Sequence, residues 1–130
     1  MILQVSIITP GKIFWNDQAE ELILPTNTGQ MGVLNNHAPL ITALDVGVML
    51  ARQKKDWISF ALMGGFALVK YNQIIVLVNE AESVETIDSV EAEQSFLLAQ
   101  QLLKDAQDRK QKVEANFAFK RARARYQVVQ

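Results

Sequence analysis

The sequence predicts an α+β protein: an N-terminal all-β sandwich, or flattened barrel, over residues 1–84, then a C-terminal α-helical hairpin over 85–130. Two observations predict it. Up to about residue 80 the apolar residues form short runs rich in β-branched and aromatic side chains, punctuated by turn formers. From about residue 85 they recur at spacings of three and four, which is one face of a helix.

Six runs are strand length: residues 2–8, 21–24, 46–50, 57–62, 66–69 and 74–78. Between them stand Pro10-Gly11, Asn27-Thr28-Gly29, Gln53-Lys54-Lys55-Asp56, Gly64-Gly65 and Tyr71-Asn72-Gln73, with no helix-length pattern between strands. Turns this regular favour a closed all-β unit over a parallel sheet with crossover helices. Residues 42–48 form one step of it, with Gly47 expected at a bend or bulge. The pair Gly64-Gly65 reads as a hairpin turn or a close approach of two backbones, ahead of a phosphate-binding loop. Trp15 and Trp57 read as aromatics of the core or its edge. In Gly-Gln-Met-Gly-Val-Leu-Asn-Asn-His-Ala-Pro, residues 29–39, the turn is expected over 27–32, Gln30 and Met31 as its exposed tip, and Val33 and Leu34 as the return to the core. His37, the one histidine of the chain, closes the stretch and is expected to hold the loop against Ala38-Pro39.

The first helix should begin at Asp88. In Asp88-Ser89-Val90-Glu91 the aspartate can accept from a first-turn amide while Glu91 reaches back, a capping box. Ala92, Phe96, Ala99, Leu103 and Ala106 then mark one apolar stripe. A second, basic helical stretch carries Ala115, Ala118 and Ala122 with Lys120, Arg121, Arg123 and Arg125 interleaved. The junction, Asp108-Arg109-Lys110-Gln111-Lys112, holds neither glycine nor proline, so one long helix and a hairpin of two are both open. Faces built from alanine bury little area, so packing within a hairpin should be weak.

Composition narrows the function. The chain is 49% hydrophobic and 21% charged, the balance of a core-forming globular domain rather than a disordered one. Lys54, Lys55, Asp56 and Lys70 interrupt the most apolar third before any run reaches membrane-spanning length. The first five residues lack the basic segment and cleavage site of a signal peptide, so a mature or locally made product is expected. The absence of cysteine excludes thiolate metal sites and a cysteine nucleophile. With a single histidine and no phosphate-loop, dinucleotide, zinc-protease or nucleophile-elbow motif, neither a catalytic site nor a metal is expected.

The net charge is −1, yet residues 80–93 hold six acidic and no basic side chains, while 94–130 hold eight basic and three acidic. Such polarity points to a partner. Nucleic acid is one candidate for the basic helix; the alanines between its cations supply no base-reading donors, and an acidic protein surface fits as well or better.

The motifs "GQMGVLNNHAPLITALDVG", "ALMGGFA", "VNEAE" and "KVEANFAFKRARAR", in this order across essentially the whole chain, resemble the epsilon subunit family of the F-type ATP synthase, most closely its chloroplast and cyanobacterial branch. The resemblance implies a non-catalytic rotor subunit without a cofactor. Its implied partners are the gamma subunit, the ring of membrane c subunits, and the alpha and beta subunits of the catalytic head. It implies no nucleic acid, and a peripheral place on the stromal side of the thylakoid, or the cytoplasmic side in a cyanobacterium, with the membrane reached only through the complex. Gln30, Met31 and His37 match the loop that meets the c ring. Lys120, Arg121, Arg123 and Arg125 match a basic helix that, when the hairpin extends, reaches the beta subunits and restrains ATP hydrolysis. Some bacterial members bind ATP through Ile-Asp-x-x-Arg-Ala. Here Ile87, Asp88 and Ala92 match, but Glu91 stands in place of the arginine, turning attraction for a phosphate into repulsion. Asp88 and Glu91 are therefore assigned to capping, and a small ATP-binding sensor folded around nucleotide stands as the alternative.

Overall fold

The computed structural model describes residues 2–130; Met1 lies outside the described residues. The chain runs through eight strands, β1 (Leu3–Thr9), β2 (Lys12–Ala19), β3 (Glu21–Thr26), β4 (Gly29–Val33), β5 (Leu40–Gln53), β6 (Asp56–Lys70), β7 (Gln73–Val78) and β8 (Ala81–Ser83), before a single 3-10 turn and the helices α1 (Ser89–Asp105) and α2 (Arg109–Val129). The strands hydrogen-bond in the order β2-β1-β7-β6-β5-β3-β4, with β8 also on β6. Every pairing is antiparallel except β1 with β7.

The long strands β5 and β6 allow this one sheet to fold into two layers. Along β6 the second neighbour changes from β8, paired at Phe60, Ala61 and Leu62, to β7, paired from Gly65 to Lys70. The change falls on Gly64 (φ 80°) and Gly65 (φ 152°). A Cβ on Gly65 would lie 2.0 Å from the carbonyl oxygen of Leu77, so only glycine lets β7 approach there. Of the two readings of the glycine pair, close packing is the one observed, and residues 57–62 and 66–69 are parts of one strand. Gly47 likewise makes room rather than a bend: it pairs regularly with Leu62, and a Cβ would meet the ring of Pro25 at 2.9 Å. The turn at Tyr71 and Asn72 has positive φ at both residues, the hairpin geometry that suits strand twist.

Alternation decides what is inside. In β1 and β7 every second residue is buried, placing Leu3, Val5, Ile7, Ile74, Val76 and Val78 in a core shared with Leu22, Leu24, Val33, Met49 and Leu62. This core draws on the strands alone. Trp15 packs against it, whereas Trp57 is exposed, with Arg52 over its ring at 5.9 Å.

The helices form a hairpin. Asp88 caps α1 by accepting from the amides of Val90 and Glu91. The junction breaks without glycine or proline: Ala106 leaves the helix with ψ 132°, and the Asp108 side chain accepts from the Gln111 amide, capping α2. A second, smaller core joins the hairpin to the sandwich, with Ile87, Ala92, Ala124 and Val128 against Val46, Ala61 and Met63. Among the described residues no helix is long and apolar enough to cross a membrane.

Candidate functional site

Three surfaces hold the residues that could carry function. The first is the stretch 29–39, which divides in two. Thr26 closes a tight hairpin by donating to the Gly29 carbonyl (2.6 Å), so the tip is Asn27-Thr28, and Gln30 and Met31 lie within β4 opposite Pro25 and Leu24. Gln30 is exposed; Met31 is half-buried against the main core instead of standing out at a tip, and Leu34 is exposed rather than returned to the core. His37 belongs to the following connection. Its Nδ1 donates to the Ala38 carbonyl (2.7 Å), a bond that sets the ring tautomer, since a carbonyl can only accept. The neighbouring Asn36 amide donates to Asn72 Oδ1 (2.7 Å), tying this connection to the β6–β7 turn.

The second surface is where α2 meets the sandwich. Residues four apart share a helix face, so Arg121 and Arg125 point the same way. Arg125 donates through Nε to Glu82 and through Nη1 to Glu91, both at 2.9 Å, with its side chain only 13% exposed. Arg121 reaches Glu80 (3.3 Å) and Glu82 (3.7 Å), and Lys120 reaches Asp45 (3.2 Å). Burial works against the charge on Arg125, but hydrogen bonds to Glu82 and Glu91 outweigh it and raise its pKa. The Ser95 hydroxyl, then the Arg125 guanidinium, hold the Glu91 carboxyl below its usual value. Glu91 thus turns toward Ser95 and Arg125 instead of completing the capping box at Asp88. Arg123 stands apart, exposed, 5.2 Å from the centre of the Phe119 ring. Between the helices Phe96 stacks on Tyr126 (5.2 Å between centroids) and tilts against Phe119 (5.6 Å); the fully buried residues of the two helices are alanines and Val128.

The third surface escaped the reading of the sequence. One register row crosses five strands as Ala43, Phe66, Leu77, Ile8 and Ile13, and beside it runs Ile41, Leu68 and Ile75. Phe66, Leu77, Ile13 and Ile41 are exposed large hydrophobics. At about 4.8 Å per strand the row is about 20 Å long. It continues into a groove where Phe66 meets Val113 and Phe117 of α2. The signal was present: the unbroken apolar runs of β6 and β7 ask for burial on both faces, and while residues 60–63 of β6 have it, residues 66–69 and β7 are covered on one face only.

Two family descriptions match the chain end to end: "ATP synthase, Delta/Epsilon chain, beta-sandwich domain" over residues 2–84 and "ATP synthase, Delta/Epsilon chain, long alpha-helix domain" over 85–130. Relatives include the chloroplastic ATP synthase epsilon chains of Tupiella akineta, 70% identical over 99% of each chain, and of Chlorella vulgaris, 67% identical over 99% of this chain and 96% of that one. Among solved structures, a chain of the Euglena gracilis mitochondrial ATP synthase (OSCP/F1/c-ring) superposes with a TM-score of 0.84, over 99% of this chain and 82% of its own, at 17% identity, a likeness of fold.

Proposed function

The chain belongs to the ATP synthase delta/epsilon family, and from that premise we propose how its surfaces divide the work of an epsilon subunit. It is a non-catalytic subunit of the rotary proton-translocating synthase, placed in the central stalk and held at the thylakoid through the complex, as the chloroplastic names of its relatives support. The two units act differently. The sandwich, residues 1–84, docks the subunit, and the hairpin, residues 85–130, regulates.

The observation that carries the docking role is the apolar row across β5, β6, β7, β1 and β2. A folded monomer seldom leaves so continuous an apolar face open, and such faces mark protein interfaces. We assign it to the gamma subunit. Gln30, with Met31 behind it and His37 bracing the following connection, is assigned to the polar loops of the c ring. The hairpin is assigned the restraint of ATP hydrolysis, with Lys120, Arg121, Arg123 and Arg125 meeting acidic segments of the beta subunits once α2 leaves the sandwich. No role is assigned to nucleotide. The carboxylate of Glu91 is bonded to Arg125 where a phosphate would need a cation, so calorimetry with millimolar ATP should give a flat trace.

The test is binding to an isolated gamma subunit. Replacing Phe66 and Leu77 together by serine removes two central apolar anchors and should weaken binding at least tenfold without changing the circular dichroism of the chain. Unchanged affinity would move the interface elsewhere.

A further inference from the structure

The charge polarity of the sequence has its counterpart in the fold. The acidic segment and the basic helix meet one another: Asp45 of β5, Glu80 before β8, Glu82 of β8 and Glu91 of α1 take up Lys120, Arg121 and Arg125. Among the described residues every ion pair of α2 lies between Lys120 and Arg125; the cations of its first turns, Arg109, Lys110 and Lys112, pair with none of these carboxylates. The apolar part of the docking is small, since α2 contributes chiefly Ala124, Val128 and Val129 to it. Ionic contacts therefore make up much of what distinguishes the docked helix from a free one.

We propose that this acidic strip is an internal decoy for the helix's acidic target. It occupies three of the four cations that an outside partner would use, so docking on the sandwich and capture by an acidic partner exclude one another, and removing the decoy charges strengthens capture. The inference rests on the inhibitory reading of the hairpin given above. It adds that the resting balance is set within this chain, by Glu82 and Glu91 acting together on Arg125. The pairs are partly exposed, which keeps the hold weak enough to release: such pairs are worth little each, and two of them shift an equilibrium about three- to tenfold.

The experiment uses the full chain, spin-labelled at Gln73→Cys on β7 and Gln127→Cys on α2, both exposed positions in a protein without native cysteine. The distance distribution reports docked against released helix. Relative to wild type at low salt, Glu82→Gln with Glu91→Gln should raise the released-to-docked ratio about three- to tenfold. Arg125→Gln should do the same, and the triple variant should go no further than the Glu82/Glu91 pair, because Arg125 acts only through those two carboxylates, the longer Arg121–Glu82 contact (3.7 Å) being already lost in the pair. Glu93→Gln, the same charge change at an exposed position outside the cluster, should leave the ratio alone. In parallel, the Glu82/Glu91 variant should inhibit a catalytic head lacking this subunit at a correspondingly lower concentration. An unchanged distance distribution, or a raised ratio with unchanged half-inhibition in a system where wild type inhibits, would overturn the proposal. Failure of the wild type itself to inhibit would instead remove the inhibitory reading, and the distance measurement, which needs no partner, would still decide whether the ionic hold exists.

Discussion

Gly65 is the position where a single methyl should do the most damage to the sandwich. A Cβ there would lie 2.0 Å from the Leu77 carbonyl oxygen and 2.9 Å from both the Leu77 carbonyl carbon and the Val78 Cα, all backbone atoms. Ordinary contact begins near 3.4 Å, so β6 and β7 would have to part by more than an ångström where they pair as Gly65 with Val78. One or two ladder hydrogen bonds at about 1 kcal/mol each, with backbone strain of about 1–3 kcal/mol at a φ of 152°, give about 2–5 kcal/mol for Gly65→Ala. Gly64 is the internal control. Its φ is also positive, but its Cβ would come no nearer than 3.8 Å to the Leu44 carbonyl, so Gly64→Ala should cost only about 1–2 kcal/mol. Urea unfolding at 25 °C measures both, and in a domain of this size Gly65→Ala should lower Tm by about 6–25 °C. If Gly65→Ala were no more destabilising than Gly64→Ala, the close approach of β7 would not be what the glycine serves.

The helical hairpin yields two further expectations. Asp108→Ala removes the cap that starts α2, at a cost of about 1 kcal/mol, and should raise amide exchange of residues 109–112 while leaving the core amides of β7 protected. Glu91 titrates below its usual range in the docked chain, where it faces Arg125, Ser95, Asp88 and, across the guanidinium, Glu82. Ser95 lies on α1 with Glu91 and stays when α2 releases, so only the Arg125 part of the lowering favours docking; that contribution is present above the ordinary value, about 4.3, and is lost as pH falls through the docked value. The released fraction of α2 should therefore be constant from pH 8 to 6 and rise below about pH 4.3, and Glu91→Gln should flatten that rise.

Much of the fold was legible because turn chemistry and apolar periodicity are local. The turns at residues 10–11, 53–56 and 71–73 and the start of α1 at Asp88 follow from residue type alone. What was hidden depends on distant neighbours. β2 contains Asn16, Asp17 and Gln18, and β4 contains two glycines, so neither has strand-like composition; both are strands because β1 and β3 supply their hydrogen bonds. The glycine pair of β6 looks like a turn until the partner change from β8 to β7 is known. The residues around Ala106 do not announce the helix break, since its determinant is a cap, Asp108, rather than a breaker. At the candidate site the cations could be read from sequence and placed on one face by their spacing. Their carboxylate partners lie 34 to 75 residues away, beyond any periodicity.

The central claim is that one unit docks and the other restrains. It is tested most directly by the ATPase rate of a catalytic head depleted of this subunit, titrated with the full chain and with residues 1–84, a sandwich whose main core draws nothing from the helices. Both should bind the gamma subunit with similar affinity, and only the full chain should suppress hydrolysis. Equal suppression by both, or by neither, would contradict the division of labour proposed for the two units.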